Sequence, residues 1–219
     1  QIQLNPAEHL WTGDDEQKTR EPLTVEELAR IRNSGMPYSD YIVVMCCMGY
    51  RPGEIFAFTK SAVQSMDGIH CIVGGAKTEA GKERVIPIPD AILPIIQGRL
   101  EVVGTDWLFP RVMYDRKGEF TGYAQMSVSY FREFVFKPMC GRLGIADKLP
   151  YGSRHTFGDG LRDVDGSDKD KASVIGHSDY TTTKKHYQTA SLQNKAKIMN
   201  DIADEILGHQ DDAIKNRTM

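Results

Sequence analysis

Arg51, in the segment MGYRPGE, follows a glycine and stands where a helix restarts at Pro52, so its guanidinium can leave the helix and face a ligand. Lys77 lies in the Gly-flanked loop GGAKTEAGK, from which a long side chain can reach into a groove. YGSRHTF sets Tyr151, Arg154 and His155 at the start of a helix that Ser153 is expected to cap, and the three-residue spacing of Tyr151 and Arg154 allows them one face. VIGHSDYTTTKKHYQTA places His177 after a glycine and Tyr187 ten residues later. These residue types suit phosphoryl transfer without a metal. Each alone has an ordinary explanation: an ion pair of Arg51 with Glu54, a solvated loop lysine, an exposed arginine at a helix start, a capping histidine, a packed tyrosine. Their joint presence carries the weight.

The elements that must position them are legible from local signals. Thr24 followed by Glu27 is a capping-box signature for a helix through Asn33, which Gly35 and Pro37 terminate. A second helix is expected from Ser39 to Met48, broken by Gly49. From Ser61 the period changes: AVQSM, a turn at Asp67-Gly68, IHCIV, the loop holding Lys77, and ERVIPIP read as three antiparallel strands. Residues 90–103 and 125–144 read as amphipathic helices separated by a Gly/Asp/Tyr-rich loop around 111–122, and helices fill most of 153–207. The expected fold class is α+β, mainly helical, with a small three-stranded antiparallel sheet. Residues 1–21 are expected as a leading linker, 22–190 as the domain that carries the chemistry, 191–207 as a C-terminal helix and 208–219 as a tail.

Composition narrows the partners. The chain has 219 residues, 40% hydrophobic and 26% charged, enough for one large domain with a proper core. No apolar run approaches the roughly 18 residues of a membrane span. The start at Gln1 and the lack of a signal-peptide pattern lead us to expect a piece of an intracellular protein. Cys46, Cys47, Cys71 and Cys140 have neither disulfide-framework nor metal-ligand spacing, and Cys46 and Cys47 sit in an apolar run as small hydrophobes. The formal net charge is −3, but the acidity lies in the flanks: residues 51–190 hold 19 Lys/Arg against 17 Asp/Glu. That balance is consistent with local phosphate contacts and not with a basic slab that grips DNA alone.

GYRPGE, GAKTEAGKERVIPIP, YGSRHTF and IGHSDYTTTKKHY, in that order over roughly residues 24–207, resemble the active-site boxes of the tyrosine recombinases of the phage-integrase type. The resemblance implies Arg51 and Arg154 as phosphate clamps, Lys77 as general acid, His177 as hydrogen-bond donor and Tyr187 as nucleophile. Tyr151 departs from the pattern, since the family has His or Lys there. A phenol can donate a hydrogen bond to a phosphate oxygen but is a poor base near neutrality. His155 is in the motif as a buttress, Glu54 is expected to orient the Arg51 segment, and His186 is read as an exposed helix residue. Tyr180, three residues after His177, competes with Tyr187 as the nucleophile.

Such chemistry makes and breaks DNA strands through a 3′-phosphotyrosine bond and needs no ATP, metal or other cofactor. The resemblance further implies double-stranded DNA as partner, a homotetramer on DNA and a core-binding domain ahead of Gln1. Leu192, Ala196, Met199, Ile202, Ala203 and Ile206 make an apolar helical stripe that can dock on its own domain or on a neighbouring protomer. Truncation after Thr189 separates the two: loss of assembly with cleavage spared means exchange, equal loss means docking. Two other functions stay open, a non-catalytic DNA-binding regulator on the same fold and a type IB topoisomerase-like relaxation. A metal-dependent nuclease is disfavoured for want of clustered carboxylate and histidine ligands.

Overall fold

A computed structural model describes residues 21–75, 84–146, 148–175 and 191–208. Lys77 falls in 76–83, and His177, Tyr180, His186 and Tyr187 fall in 176–190; these five lie outside the described residues.

The chain enters through α1 (Val25–Asn33), whose capping box is complete: Thr24 Oγ1 accepts from Glu27 N, and a Glu27 carboxylate oxygen accepts from Thr24 N. The same carboxylate receives Lys148 Nζ at 2.5 Å, and Lys148 also donates to Pro22 O, so a buried ion pair fastens the start of the domain to the segment preceding Tyr151. α2 (Ser39–Met48) is apolar all round and buried from Tyr41 to Met48, which makes it the central helix of the core. Cys46 and Cys47 are fully buried there, and burial pushes the Cys46 thiol up to about 12, so it stays protonated and packs as a hydrophobe.

Gly49 ends α2 with φ +64°. After the short helix α3 (Pro52–Ile55), strands β1 (Val63–Met66), β2 (Ile69–Val73) and β3 (Val85–Pro87) form the antiparallel sheet in that order. Asp67 and Gly68 join β1 to β2 with φ of 50° and 77°, the left-handed pair that a tight hairpin needs. Val73 pairs with Val85, so the ends of β2 and β3 flank the loop that holds Lys77.

Helix α4 (Leu93–Leu100) follows. The loop expected around 111–122 is instead a second, two-stranded sheet, β4 (Pro110–Tyr114) against β5 (Phe120–Gln125). Its turn is made by Asp115, whose Oδ1 accepts from Lys117 N and Glu119 N, and by Gly118 at φ +84°. The strands escape sequence reading because both are half-exposed and lack a two-residue apolar alternation. The helix expected from 125 therefore begins later, as α5 (Val128–Tyr130), and runs through a π segment (Phe131–Phe136) into α6 (Lys137–Arg142).

Helices α7 (Gly152–Asp163), α8 (Asp168–Ile175) and α9 (Leu192–Leu207) complete the described chain. The fold is thus α+β and mainly helical, with the small three-stranded antiparallel sheet. In α9, Ser191 Oγ caps Asn194 N, and Ile198, Met199, Ile202, Ala203, Ile206 and Leu207 are buried against the chain's own domain. Gly160 of α7 permits that approach: a Cβ there would lie 3.0 Å from Ile206 Cγ1. No helix among the described residues is long and apolar enough to cross a membrane.

Candidate active site

Arg51, Tyr151 and Arg154, expected together from their types, do meet. Arg51 is the N-cap of α3 and half-exposed. Its backbone N–H donates to Glu54 Oε2 at 2.9 Å and its Nη1 donates to Glu54 Oε1 at 3.0 Å. Glu54, buried to 8% exposure, therefore holds both ends of Arg51 and leaves the rest of the guanidinium fork toward solvent. The Tyr151 phenol lies within hydrogen-bonding reach of the same guanidinium. Burial pulls the Arg51 pKa down, but the Glu54 carboxylate and the Tyr151 oxygen outweigh it and set the net shift upward.

Arg154 lies in the first turn of α7 and is buried. Its Nη1 donates to Gly49 O at 2.5 Å, which binds α7 to the end of α2. Desolvation, then the positive charge of Arg51 and of Arg84, lowers its pKa. The helix start differs from expectation. Tyr151 is the N-cap, and Ser153 lies inside the helix with Oγ donating to Pro150 O at 2.8 Å, because the backbone turns two residues earlier. That earlier turn requires Gly152, where a Cβ would sit 2.3 Å from Glu21 O. His155, exposed, makes an edge contact with the Tyr151 ring at 5.5 Å between centroids.

Gly49 is crowded as well. Any Cβ there would approach Phe157 Cδ1 to 2.4 Å, and the φ of +64° is one that L side chains rarely adopt. Gly49→Ala should therefore destabilise the domain by about 2–5 kcal/mol, combining the backbone cost with overpacking. A thermal melt within about 2 °C of wild type would contradict this.

Arg84 was not among the residues singled out from sequence, where it reads as a polar residue ahead of an apolar strand. It begins the strand side of the Lys77 loop, with Gly74 N donating to its carbonyl oxygen. Its Nη2 donates to Val174 O at 2.7 Å, and its guanidinium carbon lies 4.6 Å over the Tyr50 ring. Val174 stands three residues before His177, so the described ends of the Lys77 and His177 segments are joined at Arg84. Where Lys77, His177 and Tyr187 themselves stand is outside the described residues. Among the described residues, no group of three His, Cys, Asp or Glu is placed to hold a metal ion. What the described cluster offers is guanidinium donors around a single buried carboxylate, a donor set whose chemistry suits an anion.

Comparison with known proteins bears on the fold and the family. The chain is similar in structure to the Tn1549 transposon integrase in complex with a circular intermediate DNA, at TM-score 0.57 and 18% identity, covering 85% of this chain and 67% of that one. It is similar to XerA recombinase at TM-score 0.51 and 17% identity, covering 94% and 68%. XerH recombinase bound to its difH substrate gives TM-score 0.50 and 19% identity, covering 78% and 51%. At these identities the likeness is one of fold. A sequence comparison with curated proteins finds no match. The profile of the phage integrase family, however, matches residues 22–195, most of the chain, and the chain therefore belongs to that family, the tyrosine recombinases.

Proposed function

We propose that this domain cleaves and rejoins DNA strands at a specific site through a covalent 3′-phosphotyrosine intermediate, with Tyr187 as nucleophile. The observation that carries the reading is the meeting of Arg51, Arg154 and Tyr151 around buried Glu54 in a member of this family. The Tyr187 oxygen gives its proton to water and attacks phosphorus, the P–O5′ bond breaks, and the 5′ oxygen takes a proton from the Lys77 ammonium. Arg51 and Arg154 meet the charge that builds on the non-bridging oxygens, where paired N–H donors gain most. His177 and Tyr151 each donate one further hydrogen bond to the phosphate. General acid help of the Lys77 kind is worth about 10²- to 10⁴-fold, because an unprotonated alkoxide leaves poorly.

The phosphodiester energy is kept in the tyrosyl bond, so a second strand's 5′ hydroxyl can reverse the step without ATP. Double-stranded DNA is the partner, and strand exchange calls for a homotetramer on paired duplexes. The solved relatives with DNA bound support that partner. With a nearly balanced central charge, this domain alone binds duplex weakly and with steep salt dependence.

The test is a pool of nicked duplexes of random sequence, which lets the cleaved end diffuse away and traps the intermediate. A denaturant-stable adduct whose peptide maps to Tyr187 is the expected result. An adduct on Tyr180 overturns the assignment of the nucleophile. Duplex binding with no adduct on any tyrosine overturns the reaction and leaves a DNA-binding regulator.

A further inference from the structure

Three consecutive residues each hold one arginine. The Gly49 carbonyl receives Arg154, the Tyr50 ring lies under Arg84, and Arg51 is itself the third. We propose that Arg84 is a third cation of the phosphate site, acting on the bound anion by its charge from beneath Tyr50 rather than by contact. This rests on the reading that Arg51 and Arg154 bind a DNA phosphate.

Arg84 is held in a way that structure alone does not explain. Its Nη2 bonds to a carbonyl and its face to a ring, both neutral, while Nε is buried with no hydrogen-bond partner. Among the described residues, no carboxylate forms an ion pair with it, since Glu54 is taken up by Arg51. A desolvated cation without a direct ion pair is costly, and a neutral residue would fill the same space more cheaply. The cost is offset when an anion arrives. Desolvation is the main cause that lowers the Arg84 pKa, Tyr50 and Glu54 pull the other way, and Arg51 adds a smaller repulsion.

The arrangement also explains why the cation sits under Tyr50. Tyr50 is fully buried, donates to Ile72 O at 3.3 Å and packs edge-on against Phe58, so its ring is a fixed platform. Arg84, held by Val174 O and this ring, therefore does not compete with Arg51 for direct contact with the phosphate. Its field is preorganised and needs no reorientation during the reaction.

Equilibrium titration of the full chain with inorganic phosphate at pH 7.5 and constant ionic strength tests this, with Arg154→Gln as control. Arg84→Gln keeps a donor for Val174 but removes the charge, and should raise the phosphate Kd about 5- to 20-fold. Arg84→Lys should stay within about threefold of wild type, because charge and not shape is what counts. A purely structural Arg84 would lower the melting temperature in both variants and leave the Kd of folded protein unchanged. A Kd for Arg84→Gln within about twofold of wild type overturns the proposal, as does an Arg84→Lys as weak as Arg84→Gln. Should Arg84→Gln fail to fold, Arg84→Met, which also removes the charge, decides by the same threshold. If Arg154→Gln does not weaken phosphate either, the phosphate-site reading falls and this one with it; if only Arg84→Gln is without effect, this one falls alone.

Discussion

Arg154→Lys should slow formation of the covalent protein–DNA adduct by about 10²- to 10³-fold, the cost of removing a preorganised donor from a site of developing charge. Lysine keeps a positive charge but loses the planar fork, one arm of which bonds to Gly49 O. The environment worsens the exchange. Desolvation and the neighbouring Arg51 and Arg84 already lower the Arg154 pKa, and a lysine starts about two units below arginine. The substituted amine should then be partly neutral at mildly alkaline pH. Because its pKa is depressed, the charged form is recovered as pH falls, so the defect of Arg154→Lys should ease between about pH 9 and pH 7. Arg154→Ala, with nothing to protonate, should show no such recovery. Single-turnover cleavage of the trapped substrate over that range separates the two, and an Arg154→Lys rate within about threefold of wild type would refute the clamp role.

Deleting α9 should unfold the domain instead of merely uncoupling protomers. Ile198, Met199, Ile202, Ile206 and Leu207 are each at most 9% exposed, so their burial alone is worth about 8–15 kcal/mol at the usual 1.5–3 kcal/mol per side chain. That matches the whole net stability of a typical domain, about 5–15 kcal/mol. Polar ties go as well, among them Asp90 N to Asn200 Oδ1 and Arg32 Nη1 to Leu207 O. A chain ended at Thr189 should therefore lose its cooperative melt, its adduct formation and its assembly together. A truncated chain that melts cooperatively and still forms the adduct, but no longer assembles on DNA, would show that the helix serves a neighbouring protomer. Ile202→Asp in the full chain gives the same answer with less disruption, since an unpaired carboxylate in that stripe costs several kcal/mol.

Legibility of the site depended on distance along the chain. Glu54 as the partner that orients Arg51 was readable because the two are three residues apart and one helix start joins them. Arg84 was not, because nothing in ERVIPIP signals that its partners are Tyr50 and Val174. The β4–β5 hairpin escaped for a related reason: its strands are half-exposed, and their pairing leaves a weak imprint on residue type. The helix cap expected at Ser153 lies two residues earlier, at Tyr151, because Gly152 lets the chain pass close to Glu21, a contact made with the far end of the domain.

By itself, then, the sequence determined what local interactions control: the Thr24–Glu27 capping box, the Asp67-Gly68 turn, the apolar helix around Cys46 and the ordered boxes that mark the family. These depend on backbone preferences and on contacts within about one helical turn, so residue type and spacing specify them. Only the tertiary structure decided that Arg154 would close onto Gly49, 105 residues away, that Arg84 would bond Val174 across 90, and that α9 would lie on its own domain. Those choices come from desolvation and shape complementarity among segments far apart in sequence, whose energies exist only once the core has brought them together.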